Sequence, residues 1–297
     1  MKIILDGHLV DARQARVSVF DHSFLYGDGI YETVRAYDYR VFHWPEHFRR
    51  LKRSSRRIHL KCPWSSSFLL DGIIRVLRAN RTPEGSVRIT ISRGPGPLGL
   101  DPSLCPKPTL VMLLHPERPI QAFRRTGVSI GIPEVRRNHP RCLDPQIKSN
   151  NSLNTILARM EGKAMRVFET VLLNLDGDLT EGTTSNIFFA RKSEIFTPAL
   201  SCGLLEGITR ESVIRLSRAA GRKVHEGHYT PMDLKSADEI FLSSTTLEIM
   251  PVVRVKRAGA ALGEGRRCFI VGTGQPGPLS RELQNSFRTY VQKELCL

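Results

Sequence analysis

Short runs of alternating apolar and polar residues open the chain, and longer stretches with apolar positions every three or four residues follow them. Leu9-Val10, Val17-Ser-Val-Phe20 and Thr33-Val-Arg-Ala-Tyr37 read as strands, the last after a Gly27-Asp-Gly29 turn. Trp44–Leu60 and Phe68–Ala79 carry helical stripes: Trp44, Phe48, Leu51 and Ile58 in one, and Phe68, Leu69, Ile73, Val76 and Leu77 in the other. Val87–Ile91 and Leu110–Leu114 then read as strands around a loop rich in glycine and proline, Gly94 to Pro102.

Residues 116–125, with two prolines and four charges, read as a linker. Beyond it, Val128–Ile132, Thr170–Asn174, Ile187–Ala190, Glu194–Phe196 and Glu239–Leu242 read as strands. Asp176-Gly177 marks a hairpin returning toward Leu179-Thr-Glu181. Helices are expected directly after Lys148, with Leu153, Ile156, Leu157 and Met160 on one stripe, from about Thr209, and from about Ser280. Mixed elements with many hairpins predict an α+β protein of two domains: a small N-terminal α/β domain (1–115), the linker (116–125) and a larger mixed-sheet domain (126–297).

Composition narrows the function classes. The 297 residues suffice for a large core, and no apolar run approaches the roughly 20 residues that span a bilayer. The N-terminus turns polar too soon for a signal peptide. Six cysteines without a Cys-x-x-Cys pair argue against a zinc ribbon or a disulfide framework, so no metal site is expected and a reducing cytoplasm is. The net charge of +15 raises the reading of a basic nucleic-acid-binding protein. Yet the cations are scattered, lack interleaved aromatic platforms, and are densest at 49–57, where one amphipathic helix explains them. No nucleic-acid or membrane partner is therefore expected.

Candidate chemistry centres on Lys148, at the end of an irregular segment punctuated by Pro140 and Pro145. Downstream, Leu204 to Arg210 puts Gly207, Ile208 and Thr209 at a helix start, where free N–H groups favour a phosphate; Thr209 alternatively caps the helix. Ser243-Ser-Thr-Thr246 brings hydroxyls to a strand end. Thr180 to Asn186 puts one carboxylate and four hydroxyls before an apolar strand, with Glu181 either a buried acid or a surface one. An amine, an acid and phosphate donors are what pyridoxal phosphate requires.

With those residues in place, the chain resembles the class IV, or fold type IV, pyridoxal-phosphate aminotransferases, which include branched-chain and D-amino-acid aminotransferases and aminodeoxychorismate lyases. The resemblance runs from Asp6-Gly7 to Gly277-Pro278. It rests on Tyr26-Gly-Asp-Gly-Ile-Tyr-Glu32, Glu46-His-Phe-Arg-Arg-Leu51, Lys148-Ser-Asn-Asn, Thr180-Glu-Gly-Thr-Thr-Ser-Asn186, Gly207-Ile-Thr-Arg210 and Ala237-Asp-Glu-Ile-Phe-Leu-Ser-Ser-Thr-Thr246. It implies that Lys148 joins the cofactor aldehyde and moves the substrate proton, and that Glu181 pairs with the pyridine nitrogen. Arg50 matches the phosphate-binding arginine. Ser185, Asn186, Gly207, Ile208, Thr209, Ser244 and Thr245 belong to the cofactor cradle, and Leu205 to the ring's packing surface. Tyr26 and Tyr31 match pocket residues, although tyrosines of this kind also serve as core. A homodimer or higher assembly sharing its active site is implied.

For the substrate the motifs divide. Ser243-Ser-Thr-Thr246 resembles the D-amino-acid enzymes, with Thr246 on the substrate side. In the loop Arg93 to Pro102, Leu98 and Leu100 stand where well-known D-amino-acid enzymes carry an arginine and a histidine. Two leucines suit an aliphatic side chain and cannot grip a carboxylate. Arg88 aligns with a pocket arginine of branched-chain members that would hold 2-oxoglutarate's distal carboxylate, unless it faces outward from its strand. Leu153 departs from the tyrosine that many branched-chain enzymes carry. The favoured reading is amino transfer from a branched-chain or aliphatic amino acid to a 2-oxo acid; D-amino-acid or (R)-amine transamination follows, then the lyase.

Overall fold

The computed structural model describes residues 1–115, 120–258 and 268–297. The chain divides into two compact units: Met1–Arg118 with Ile147–Ser152 and Gln292–Leu297, and Pro119–Gln146 with Leu153–Val291. The stretch carrying Lys148 thus belongs to the first unit, although the domain expectation above puts it in the second.

The first unit contains β1 (Lys2–Leu5), β2 (His8–Asp11), α1 (His22–Tyr26), β3 (Gly29–Tyr37), β4 (Arg40–Val41), α2 (Trp44–Arg57), α3 (Ser66–Ala79), β5 (Gly85–Ser92) and β6 (Thr109–His115). Its six strands form an antiparallel sheet in the order β2-β1-β6-β5-β3-β4. β3 alternates buried and half-buried positions along its length, as a strand with one face in the core must. The core joins Ile30 and Val34 of β3 to Leu51 of α2, Leu69, Ile73 and Leu77 of α3, and Ile89 of β5. Ser65 caps α3 by accepting from the Phe68 N–H at 3.1 Å. Phe68, expected on the inner stripe, is exposed.

Val17–Phe20 is not a strand. Ser18 folds the backbone: its hydroxyl accepts from the Phe20 N–H and its carbonyl from the Asp21 N–H. Val17, Val19 and Phe20 are left exposed, and Asp21 then caps the unforeseen α1 by accepting from the Ser23 N–H at 2.9 Å.

The second unit runs α4 (Gln121–Thr126), β7 (Val128–Ile132), α5 (Leu153–Ala164), β8 (Glu169–Leu173), β9 (Leu179–Gly182), β10 (Asn186–Arg191), β11 (Glu194–Pro198), α6 (Ile208–Ala219), β12 (Val224–Gly227), α7 (Pro231–Lys235), β13 (Glu239–Ser244), β14 (Glu248–Arg257), β15 (Cys268–Ile270) and α8 (Pro278–Leu295), whose last residues cluster with the first unit. Among the described residues its mixed sheet runs β12-β11-β10-β13-β14-β7-β8-β9, with β15 on β14. α4 falls inside the stretch that reads as a linker; residues 116–119 of that stretch lie outside the described residues. The core gathers Ile130, Val171, Ile187, Phe189, Ile240, Leu242 and Met250. β8 and β10 are buried along nearly their whole length, which is why they read as continuous apolar runs. α5 packs through its small residues Ala158 and Gly162; a Cβ on Gly162 would come 2.8 Å from the Thr170 hydroxyl. Its apolar stripe, Leu153, Ile156, Leu157 and Met160, is exposed.

Candidate active site

In the first unit, Lys148 is held by its backbone on both sides. Its carbonyl accepts from the Tyr31 N–H at 2.9 Å, and its own N–H donates to the buried Ser54 hydroxyl on α2 at 3.1 Å. Asn150 adds a bond from its N–H to the Gly29 carbonyl at 2.8 Å, so residues 148–150 run antiparallel to the start of β3. Gly29 makes the approach possible, because a Cβ there would lie 2.6 Å from Asn150 Nδ2 and 2.9 Å from the Ile91 carbonyl. A lysine anchored this way has a fixed root for its flexible stem.

Lys148 Nζ sits 4.5 Å from the centre of the Tyr31 ring, and the Arg88 guanidinium carbon 3.7 Å from the same centre. Arg88 is oriented by Thr90, which accepts from Nε at 3.2 Å, and by Asn150, which accepts from Nη2 at 3.2 Å. It therefore does not point outward from its strand. The Lys148 ammonium holds the Tyr31 phenol below its usual range; burial opposes this and the Arg88 charge reinforces it.

Next along β3, Glu32 is fully buried and accepts from Arg50 Nε at 2.7 Å, Arg50 Nη2 at 2.9 Å and His47 Nδ1 at 2.9 Å. Burial pushes the Glu32 carboxyl up, but the charge and hydrogen bonds of Arg50 and the His47 bond outweigh it and hold it far below the carboxylate range. Burial lowers the His47 imidazole, partly offset by Glu32. Arg50 is thus locked in place by a side-on pair with Glu32 that its sequence neighbours do not reveal. Tyr26 accepts from the Gly99 N–H at 3.2 Å and tethers the glycine-rich loop, on which Leu98 and Leu100 are 69% and 83% exposed.

In the second unit, Glu181 is buried. Its Oε1 accepts from Arg137 Nε at 3.0 Å and lies 2.9 Å from Nη2, while Oε2 accepts from the Leu205 N–H at 3.0 Å. The alternative of a surface acid is excluded. Arg137 escapes sequence reading because it lies 44 residues from its partner. Asn154, at the start of α5, accepts from Arg137 Nη1 at 3.2 Å and fixes the far side of that guanidinium.

Asn186 links the remaining pieces. It pairs with Ser243 across β10 and β13, and its Nδ2 donates to the Leu205 carbonyl at 3.0 Å. A Cβ on Gly207 would come 2.0 Å from Asn186 Oδ1. Gly207, not Thr209, is the N-cap of α6, and no side chain caps it. Thr209 is a buried residue of the first turn. Ser243 and Ser244 end β13, and residues 245–247 turn into β14. The Ser244 hydroxyl accepts from the Leu247 N–H at 3.2 Å and lies 3.5 Å from the Thr246 hydroxyl. Thr183, Thr184 and Ser185, by contrast, direct their hydroxyls to the carboxylate of Glu169.

These residues fit a phosphate. The first turn of α6 presents N–H groups with no side-chain cap, beside a hydroxyl-bearing turn. The buried Ser243 hydroxyl has no partner among the described residues.

The model of the family described as amino-transferase class IV matches residues 29–255. The chain belongs to the class IV aminotransferases. It is a pyridoxal-phosphate-dependent transaminase with the fold of that family. It is 37% identical, over 97% of this chain and 96% of the other, to a Methanocaldococcus jannaschii protein provisionally named a branched-chain-amino-acid aminotransferase. A D-alanine aminotransferase of Staphylococcus haemolyticus is 31% identical over 98% of each chain. Among solved structures, the branched-chain aminotransferase of Escherichia coli aligns with a TM-score of 0.88 at 27% identity, covering 97% of this chain and 93% of that one. The Thermoproteus uzoniensis enzyme with norvaline aligns at 0.84 and 30% identity, over 98% and 94%.

Proposed function

We propose that this transaminase moves the amino group of a branched-chain or other aliphatic amino acid to a dicarboxylic 2-oxo acid such as 2-oxoglutarate. The observation that carries the reading is Arg88 stacked on Tyr31 beside Lys148, with its guanidinium oriented by Thr90 and Asn150. A cation so held suits the distal carboxylate of the acceptor. The tethered loop with Leu98 and Leu100 adds apolar surface and no carboxylate grip, which favours an aliphatic donor.

Bound pyridoxal phosphate supplies the electron sink that lets the substrate Cα–H ionise and keeps the amino group between half-reactions. Lys148 Nζ would be the base that takes the proton from the substrate Cα. Glu181, held in place by Arg137 and the Leu205 N–H, would pair with the ring nitrogen. Arg50, Ile208, Thr209 and Thr245 would hold the phosphate, with Gly207, Ser185, Asn186 and Ser244 shaping the cradle. Leu205 would pack on the ring, and Tyr26, Tyr31 and Thr246 would line the substrate side.

A D-amino-acid donor is the second reading. It is favoured by the Ser243-Ser-Thr-Thr246 turn and by D-alanine aminotransferases from Bacillus, Staphylococcus and Listeria at 28–31% identity. A half-reaction screen with L-leucine, D-alanine, D-glutamate and an (R)-amine separates them. Fastest loss of the cofactor's aldehyde-form absorbance with L-leucine supports the first reading; fastest loss with a D-amino acid replaces it with the second. The lyase remains an outcome of assaying aminodeoxychorismate.

The assembly we propose is a homodimer or larger, with the exposed α5 stripe as a surface that wants cover. A cytoplasmic location fits the six unbridged cysteines. Among the described residues no helix is long and apolar enough to cross a membrane. The densest basic run spends its charge on protein partners: Arg50 on Glu32, Arg49 on Glu46, and Lys52 on the Cys62 carbonyl. That use weighs against the nucleic-acid reading.

A further inference from the structure

At one end of the second unit's sheet, a thiol, a carboxylate and an imidazole converge, none of them among the residues assigned above. His228 Nδ1 lies 2.7 Å from Asp178 Oδ2 and 3.6 Å from Cys202 Sγ, and the three atoms all fall within 4.8 Å of one another. The topology explains the meeting. β11 and β12 are parallel neighbours with Pro198 opposite Gly227. Cys202, in the single turn of 3-10 helix after β11 (Leu200–Cys202), and His228, directly after β12, therefore emerge side by side. Asp178 arrives on the β8–β9 hairpin. Asn174 locks it there: its Oδ1 accepts from the Asp178 N–H at 2.8 Å, and its Nδ2 donates to the Cys202 carbonyl at 3.4 Å.

Two simpler roles fit the geometry less well. A thiol–imidazole–carboxylate relay needs the thiol and the acid on opposite ring nitrogens. Here both face Nδ1, while Nε2 lies 3.1 Å from the Ser201 hydroxyl. Burial, with the Asp178 charge adding to it, pushes the Cys202 thiol up to about 11, so the bare sulfur is a poor nucleophile. A His–Asp ion pair alone accounts for the 2.7 Å contact but gives no reason for a buried sulfur aimed at the same nitrogen.

We propose that Asp178, Cys202 and His228 form a site for a zinc-class divalent cation, with the fourth position open to solvent. One sulfur, one imidazole nitrogen and one carboxylate oxygen are donors that such an ion accepts in tetrahedral array. The Ser201 hydroxyl, by accepting from Nε2–H, sets the tautomer that leaves Nδ1 as the donor atom. His228, whose side chain is 58% exposed, gives the ion its entry. Binding displaces the Sγ proton to solvent while the neutral imidazole offers Nδ1 to the ion and keeps its one ring proton at Nε2, and no electrons move. The ion's own charge offsets the thiol's reluctance to ionise. The bound ion ties the hairpin, the turn after β11 and the end of β12 into one chelate.

The test is zinc binding to the holoenzyme, followed by calorimetry and by metal content after dialysis. One zinc per chain is expected, with a heat that varies with the buffer's protonation enthalpy because a proton is released. Cys202→Ser and His228→Ala should each weaken binding by at least about tenfold, the least that losing even a ligand's supporting partner costs. Cofactor absorbance should not change in either variant. Cys142→Ser and Cys296→Ser, at exposed thiols outside the cluster, should leave binding unchanged. No zinc uptake, or equal affinity in wild type, Cys202→Ser and His228→Ala, would overturn the proposal.

Discussion

Arg137 is the residue that most changes the picture of the acid. It supplies the buried Glu181 carboxylate with a guanidinium partner, and the Leu205 N–H supplies a second donor. Glu181→Gln should lower turnover by on the order of 10²-fold, as loss of one preorganised electrostatic group does, and should leave Arg137 without its counter-charge. Breaking such a buried pair from one side costs about 3–5 kcal/mol. Turnover assays and chemical denaturation check the two effects; wild-type turnover in Glu181→Gln would remove the acid from the mechanism. Arg88→Ala should raise KM for 2-oxoglutarate at least about tenfold while changing KM for a monocarboxylic 2-oxo acid much less, since one charge-assisted pair is worth about 1.5–3 kcal/mol. Equal changes for both acceptors would mean that Arg88 only supports Tyr31.

Among elements, Gly207 shows how a motif letter becomes a distance. Gly207→Ala pushes a methyl into Asn186, whose amide holds the Leu205 carbonyl, so the start of α6 must shift. Weaker cofactor retention in dialysis is expected, with about 1–3 kcal/mol lost to overpacking; full retention would show that the α6 N-terminus is not the phosphate cradle. Sequence periodicity found α2, α3 and many strands of both sheets, because their buried faces repeat at the element's own period, but β4, β12, β14 and β15 were not read from it. It failed where hydrogen bonds, not burial, set the path. Ser18 and Asp21 turn Val17–Phe20 away from any ladder, and a five-residue α1 is too short to show a period. The Lys148, Glu181 and Gly207 segments were legible as motifs. The hydroxyls of Thr183 to Ser185 were legible too, but not their destination, since Glu169 lies 14 residues upstream of Thr183. Arg137 and the Glu32 pair were not, since only the fold brings their partners near.

For the whole molecule, the buried Glu32–Arg50–His47 cluster makes stability depend on pH. Glu32 is held below its unfolded value, near 4.3, so its contribution is complete above that value and is lost as pH falls toward the folded one. His47 is also held below its unfolded value, near 6.5, so the unfolded chain takes up that proton first and is favoured by acid. Both trends run the same way. Melting temperature should be flat near neutrality, start to fall below about pH 6.5, and fall faster below about pH 4.5. His47→Gln should remove the first decline; an unchanged profile would show that His47 does not drive it. The α5 stripe adds a second expectation: Ile156→Asp should shift the assembly toward monomers in light scattering, and an unchanged mass would place the interface elsewhere.

Borohydride reduction of the holoenzyme followed by peptide mapping tests the role of Lys148 most directly. A phosphopyridoxyl mass is expected on the peptide bearing Lys148, with no such label in Lys148→Ala. Label on another lysine, or a reduced protein that loses all its cofactor on denaturation, would contradict it.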